Sequence, residues 1–273
     1  MPGVQGIQVS VADDFFAGDS YFRLSVRVPE AAESEVRDVV TRIDERMGRF
    51  AGLRERYFDV TVGARAGVSA TKDLEVDSFL DVVRKVRRHT ASVPDGRIHW
   101  EIRPTPRISI GDSNGTAEPL AAVRAMIGAT TAAEVTLAVS DQESWNIGLP
   151  LSAEREEQLR RQLSEIPLAA TFVVIEHDHI VELTVQNKEV SVFDTDLAYS
   201  QLADTVRKLR PITDHPLRLT WKWRFYYTDG KRNEGVVHVG GCDYSPPTVF
   251  DDALSAGALT VQNKMRADFG GCR

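Results

Sequence analysis

Cysteine is scarce in this chain. Two in 273 residues are too few for a disulfide-stapled scaffold and point to a reducing compartment, where two free thiols are expected. No apolar run reaches the roughly 18 residues of a membrane helix. Even the richest stretch, Leu120 to Val139, is interrupted by Arg124 and Glu134. Met1-Pro2-Gly3-Val4-Gln5 lacks the basic and apolar regions of a secretion signal, so a cytoplasmic protein with no membrane partner is expected. Lysine is also sparse, with seven against 26 arginines. Missing too are the Gly-x-Ser-x-Gly elbow, the His-Glu-x-x-His pair, the dinucleotide fingerprint and any zinc quartet. The glycines of Gly111-Asp112-Ser113-Asn114-Gly115-Thr116 resemble a phosphate loop, but the lysine and the strand-loop-helix frame are lacking. No cofactor and no metal is implied.

What is present belongs to an ordinary folded chain. Hydrophobic residues make up 42% and charged residues 27%, which excludes disorder over most of the length. The net charge of −7 repels a phosphate backbone, so nucleic acid is an unfavoured partner.

Internal similarity is the strongest signal. Val82-Val83-Arg84-Lys85-Val86-Arg87-Arg88-His89-Thr90 aligns with Thr205-Val206-Arg207-Lys208-Leu209-Arg210-Pro211-Ile212-Thr213. Shortly after each, Arg97-Ile98-His99-Trp100-Glu101-Ile102-Arg103 aligns with Arg218-Leu219-Thr220-Trp221-Lys222-Trp223-Arg224. Upstream, Val60-Thr61-Val62 and Val68-Ser69 lie opposite Leu183-Thr184-Val185 and Val190-Ser191, and Leu24-Ser25-Val26 matches Leu137-Ala138-Val139. These blocks predict a tandem duplication.

Periodicity suggests what is duplicated. Phe22, Leu24, Val26 and Val28 alternate as in a strand, and Val36, Val39, Val40, Ile43 and Met47 recur at helical spacing. Phe58, Val60 and Val62, then the segment from Val68, read as two further strands. Phe79, Leu80, Val83 and Val86 mark a second helix, and Ile98, Trp100 and Ile102 a closing strand. The order β-α-β-β-α-β predicts an α+β fold of two ferredoxin-like units. The first occupies residues 1–110, the second 135–273 with a C-terminal β-hairpin and tail. Residues 111–134 form a linker and short helix, with Pro104 to Gly115 the most linker-like part and a helix from Glu118 to Ile127.

Four features are candidate sites. In Trp221-Lys222-Trp223-Arg224-Phe225-Tyr226-Tyr227, alternation places aromatics on one face and basic residues on the other, as on sheets that stack single-stranded nucleic acid. The same alternation describes a core face, which Ile98, Trp100 and Ile102 at the equivalent positions favour. Glu176-His177-Asp178-His179 places two histidines on one side of a strand, where they could share a metal ion with a third ligand such as His238; a polar turn is the plainer reading. Gly240-Gly241-Cys242 and Gly270-Gly271-Cys272 carry both cysteines, either bonded to each other or with Cys242 as a thiol beside His238. Arg84 and Arg87, with Arg207 and Arg210, sit at matching places on the two amphipathic helices. The hexapeptide Leu183-Thr184-Val185-Gln186-Asn187-Lys188 recurs as residues 259–264, where strand and helix are both possible.

Three functional readings follow. The favoured one is a non-catalytic protein-binding module, an adaptor, chaperone or immunity-type protein, consistent with acidic charge and no catalytic constellation. The second is an enzyme or small anionic-ligand binder at the seam between repeats, using Arg84, Arg87, Arg207 and Arg210. The third is a single-stranded nucleic-acid binder using Trp221 and Trp223, which requires those rings to be exposed.

Overall fold

Two strands followed by a helix is the recurring unit of this chain. A computed structural model describes residues 3–14, 19–47, 55–71, 75–90, 97–111, 115–128, 130–140, 143–187, 193–209, 216–228, 230–240 and 253–270. Within them the pattern occurs six times: β1 (Gly6–Asp14), β2 (Asp19–Arg27), α1 (Glu33–Met47); β3 (Glu55–Gly63), β4 (Ala66–Thr71), α2 (Val76–Thr90); β5 (Arg97–Ile102), β6 (Arg107–Gly111), α3 (Ala117–Ile127); β7 (Ala133–Ser140), β8 (Glu143–Leu149), α4 (Ala153–Glu165); β9 (Ala169–Glu176), β10 (His179–Asn187), α5 (Thr195–Leu209); β11 (Leu217–Thr228), β12 (Lys231–Val239), α6 (Ala256–Phe269). The chain divides into two units, Met1–Asp141 and Gln142–Arg273. The fold is α+β, and no helix among the described residues is long and apolar enough to cross a membrane.

In the first unit the strands lie side by side in chain order. Hairpin neighbours β1–β2, β3–β4 and β5–β6 are antiparallel, while β2–β3, β4–β5 and β6–β7 are parallel and joined by a helix. A parallel pair needs such a crossover, because the chain must return to the same end before running forward again. One face of this sheet is apolar. Val60 pairs with Val68, Val68 with Trp100, Trp100 with Ile108, and Ile108 with Val135, and all are buried. Phe79, Leu80, Val83 and Val86 of α2 are buried too, and α2 packs on β4 and β5. Each fully buried side chain of this size contributes about 1.5–3 kcal/mol of apolar transfer. The opposite face carries Asp59, Ser69, His99 and Ser109, none of them buried.

The second unit follows the same rule. β8–β9 and β10–β11 are parallel, β9–β10 and β11–β12 antiparallel. Its core holds Trp145, Ile147, Val173, Ile175, Leu183, Val185, Leu219, Trp221, Trp223 and Val237.

The ferredoxin-like order expected from the sequence is not what forms. That arrangement inserts a third strand between the two strands joined by a helix. Here β2 pairs with β3 directly, from Tyr21↔Glu55 to Arg27↔Thr61, and β10 pairs directly with β11. The order of elements along a chain does not reveal insertion, and three strands passed unnoticed: β1, β6 inside the expected linker, and β8. The first unit runs to Asp141, so residues 111–134, with α3 among them, lie inside it.

The structure also sorts the aligned blocks. α2 with β5 and α5 with β11 hold equivalent places three repeats apart. Val60–Val62 lies in the first strand of its repeat and Leu183–Val185 in the second, and Leu24–Val26 and Leu137–Val139 are mismatched in the opposite sense. Apolar alternation makes any two strands look alike, so these upstream matches record strand character rather than position.

Candidate functional site

The last two strands and the last helix of the second unit build a cleft. β11 buries Leu217, Leu219, Trp221 and Trp223 on one face, so Arg218, Thr220 and Lys222 fall on the other. β12 runs antiparallel beside it, with Arg218 opposite His238, Thr220 opposite Val236 and Lys222 opposite Glu234.

The outer edge of β12 is closed rather than left open. Leu254 makes a parallel bridge to Arg232, and the Ser255 amide donates to the Arg232 carbonyl at 2.8 Å. Ser255 caps α6, its hydroxyl accepting from the Ala258 amide at 3.1 Å and donating to Asn233 Oδ1 at 2.6 Å. Two turns later, Gln262 Oε1 accepts the Val236 amide at 2.8 Å. Gly235 makes this close approach possible: a Cβ there would lie 2.7 Å from the Trp221 ring and 2.8 Å from Gln262 Oε1. The buried Trp221 ring is in turn stacked on Phe193 at 6.0 Å, while Trp223 meets Phe193 edge-on at 5.5 Å.

The resulting cleft has a volume of about 450 Å³. Arg218, Lys222, Arg232, His238 and Arg266 line it, with Glu234 the only carboxylate among the described lining residues. Arg218 is paired with Glu182 and Arg232 with Glu234 at 3.0 Å. Burial, together with the nearby Arg218 and Arg266 charges, holds the His238 imidazole below its ordinary pKa, as expected where charging the ring is doubly unfavourable.

The residues singled out from sequence are distributed differently. Trp221 and Trp223 are completely buried and Trp100 nearly so, so these rings offer no face to a base and belong to the core. The side chains of residues 224–227 lie outside the described residues. Arg84 pairs with Glu33 and Asp81 on the surface of the first unit. Arg87 points inward, its Nε donating to the Val62 carbonyl at 2.7 Å and its Nη2 to the Val28 carbonyl at 3.3 Å. Burial pushes its guanidinium below the ordinary arginine value. Arg207 lies over the Phe269 ring at 5.9 Å, tying α5 to α6. Arg210 falls outside the described residues, as do Cys242 and Cys272.

His177 and Asp178 form the two-residue turn between β9 and β10, both with positive φ (48° and 64°). That is the type I′ geometry whose twist suits a hairpin, and Arg155 Nε donates to the Asp178 carbonyl at 2.7 Å. No group of three or more metal-ligating side chains occurs among the described residues.

One pairing was not foreseen. Ser69 Oγ and His99 Nε2 lie 2.8 Å apart across β4 and β5, and the ring rests against Gly67, where a Cβ would come within 2.7 Å of Nδ1. Among the described residues no carboxylate hydrogen-bonds the other ring nitrogen, so the third member of a nucleophilic triad is not supplied. The cationic cleft was missed for a different reason. Its residues are scattered over 49 positions, Arg218 to Arg266, and only the β11–β12 register and the docking of α6 bring them together.

No family model, no curated protein and no solved structure matches this chain.

Proposed function

We propose that this chain is a non-catalytic protein-binding module, and that β1 is the edge on which a strand of the partner protein docks. The observation that carries this reading is the contrast between β1 and β12. A free edge strand presents unpaired amide and carbonyl groups to any extended chain, and proteins ordinarily blunt such edges with charge, proline, bulges or a covering element. β12 is covered by Leu254, Ser255 and Gln262. β1 carries charge only at its end, Asp13 and Asp14, and shows no proline, bulge or covering element among the described residues. Its nine residues, Gly6-Ile7-Gln8-Val9-Ser10-Val11-Ala12-Asp13-Asp14, pair with β2 in unbroken register from Gly6↔Arg27 to Asp14↔Asp19. They contain no proline and no lysine.

The side chains agree with the backbone. Ile7 and Val9 are 54% and 57% exposed, and they stand opposite Val26 and Leu24 of β2, on the apolar side of the sheet. Elsewhere in this unit a crossover helix bridges each parallel pair. An added partner strand would gain main-chain hydrogen bonds from the edge and selectivity from Ile7 and Val9, the usual division of labour in strand addition.

The test is co-purification from the native host at physiological salt with the wild-type chain and an Ile7→Lys/Val9→Lys variant. A stoichiometric protein retained by the first and lost by the second supports the reading. A partner held equally by both, or a monomer that captures no protein, overturns it.

A further inference from the structure

The geometry points to a second, separate site: the β11–β12–α6 cleft binds a small multivalent oxyanion, its charged head held between Arg218 and Arg266 and its remainder lying over Thr220 toward Lys222.

The charge distribution leads to this ligand class. Arg218 and His238 are cross-strand neighbours, a placement that brings Cβ atoms to about 5 Å. Arg266 lines the same cleft from α6, with Arg218 and His238. Here Glu182 takes one nitrogen of Arg218 out of the five N–H groups a guanidinium carries. Four residues along β11, about 13 Å away at roughly 3.3 Å per residue, Lys222 and Arg232 form a second cationic end, there opposed by Glu234. Thr220 supplies a hydroxyl between the ends, while Val236 and Leu254 add apolar wall.

A ligand with concentrated negative charge gains most where two guanidinium groups converge, because arginine grips phosphate and carboxylate oxygens with paired N–H groups. The cleft volume is in the range of small-molecule sites, about 300–1,000 Å³. A long polyanion such as nucleic acid is a poorer match, since the net charge of −7 opposes its approach.

The site does not depend on β1, and its test is independent of the partner experiment. The whole chain is titrated with pyrophosphate, and in a parallel arm with citrate, at constant ionic strength. Calorimetry reads the stoichiometry and NMR reads the His238 ring signals. Saturable one-to-one binding is expected, with His238 signals moving and its pKa rising back toward the ordinary imidazole value as the anion offsets the arginine charges. Arg218→Gln/Arg266→Gln should weaken binding at least tenfold and Lys222→Gln several-fold. Arg107→Gln, which removes an exposed ion pair with Glu134 in the first unit, should leave it unchanged, as should Ile7→Lys/Val9→Lys.

Preference for pyrophosphate or for citrate identifies a phosphoryl or a carboxylate head. Saturable binding of neither anion overturns the proposal, as does equal affinity in the folded double variant. Should that variant fail to fold, the wild-type spectrum decides: binding that leaves His238 unmoved overturns the assignment.

Discussion

Ser255 and Asn233 fasten the last helix to the last strand through one hydroxyl that serves both. Ser255 Oγ accepts the Ala258 amide as the cap of α6 and donates to Asn233 Oδ1 at 2.6 Å, while Asn233 Nδ2 donates to Thr228 Oγ1 at 2.8 Å. Both residues are buried. Without them α6 would lose its N-terminal anchor, and with it the alignment that brings Gln262 to β12 and Arg266 to the cleft.

Ser255→Ala removes a cap, a loss of about 1 kcal/mol, and strands a buried carbonyl, a further 1–3 kcal/mol or so. Asn233→Ala strands the serine hydroxyl instead. The two losses overlap, so the double variant should be destabilised by less than their sum, with a coupling of about 1–2 kcal/mol in urea denaturation. Strict additivity would mean that the two side chains do not act as one anchor.

Gly235→Ala is the smallest change that should disturb this corner. The new methyl would lie 2.7 Å from two carbons of the buried Trp221 indole, which is hemmed in by Phe193 and Trp223. Overpacking of this kind costs about 1–3 kcal/mol. A lowered denaturation midpoint should come with a changed near-ultraviolet circular dichroism signal from the displaced ring. The same substitution at Gly111, where nothing lies within 4 Å of the added carbon, should leave both readings alone.

His238 makes stability depend on pH in a definite direction. Its imidazole titrates lower in the folded chain than in the unfolded one, through burial and then the Arg218 and Arg266 charges. As pH falls through the ordinary imidazole range, near 6.5, the unfolded chain takes up the proton first and is favoured. The contribution of this residue is therefore complete above that range and lost below it. His238→Gln should remove the part of the pH dependence that sets in as pH falls through about 6.5. Denaturation midpoints at matched salt would show an unchanged slope if the imidazole were not the group responsible.

How much of this was legible beforehand depended on the kind of signal. Amphipathic helices announced themselves: Phe79, Leu80, Val83 and Val86 predict the buried face of α2 that is found. So did the core character of Trp221 and Trp223, whose counterparts in the aligned block are Trp100 and Ile102. Strand pairing was not legible, because alternation says which face is apolar and not which strand lies beside it. The hexapeptide Leu-Thr-Val-Gln-Asn-Lys shows the limit most clearly. Residues 183–187 of the first occurrence are strand in β10, with Leu183, Val185 and Asn187 buried, whereas residues 259–264 are helix in α6, with Val261 and Gln262 buried. Identical local preference gives opposite structures, so tertiary surroundings decide. The helix start is marked in the structure by the Ser255 cap. The cleft was illegible for the same reason, since no local pattern joins Arg218 to Arg266.

Arg84 and Arg87 should behave oppositely despite lying three residues apart on the same helix. Arg84 is half exposed and shares its charge with Glu33 and Asp81. Ion pairs of that kind are worth about 0–1 kcal/mol, so Arg84→Ala should leave the denaturation midpoint of the first unit nearly unchanged. Arg87 instead reaches under the sheet to the Val62 carbonyl with Nε and to the Val28 carbonyl with Nη2. Val28 keeps a bond from the Ala31 amide, but the Val62 carbonyl loses its charged donor when Arg87 is truncated. A hydrogen bond from a charged group is worth about 1.5–3 kcal/mol, and the stem of the side chain also fills space beside the strand ends. Arg87→Ala should therefore cost about 2 kcal/mol, and Arg87→Lys most of that, because a single ammonium cannot bridge both carbonyls. Equal midpoints for the Arg84 and Arg87 variants would show that Arg87 is not a structural clamp, and would restore the case for treating both arginines as ligand contacts.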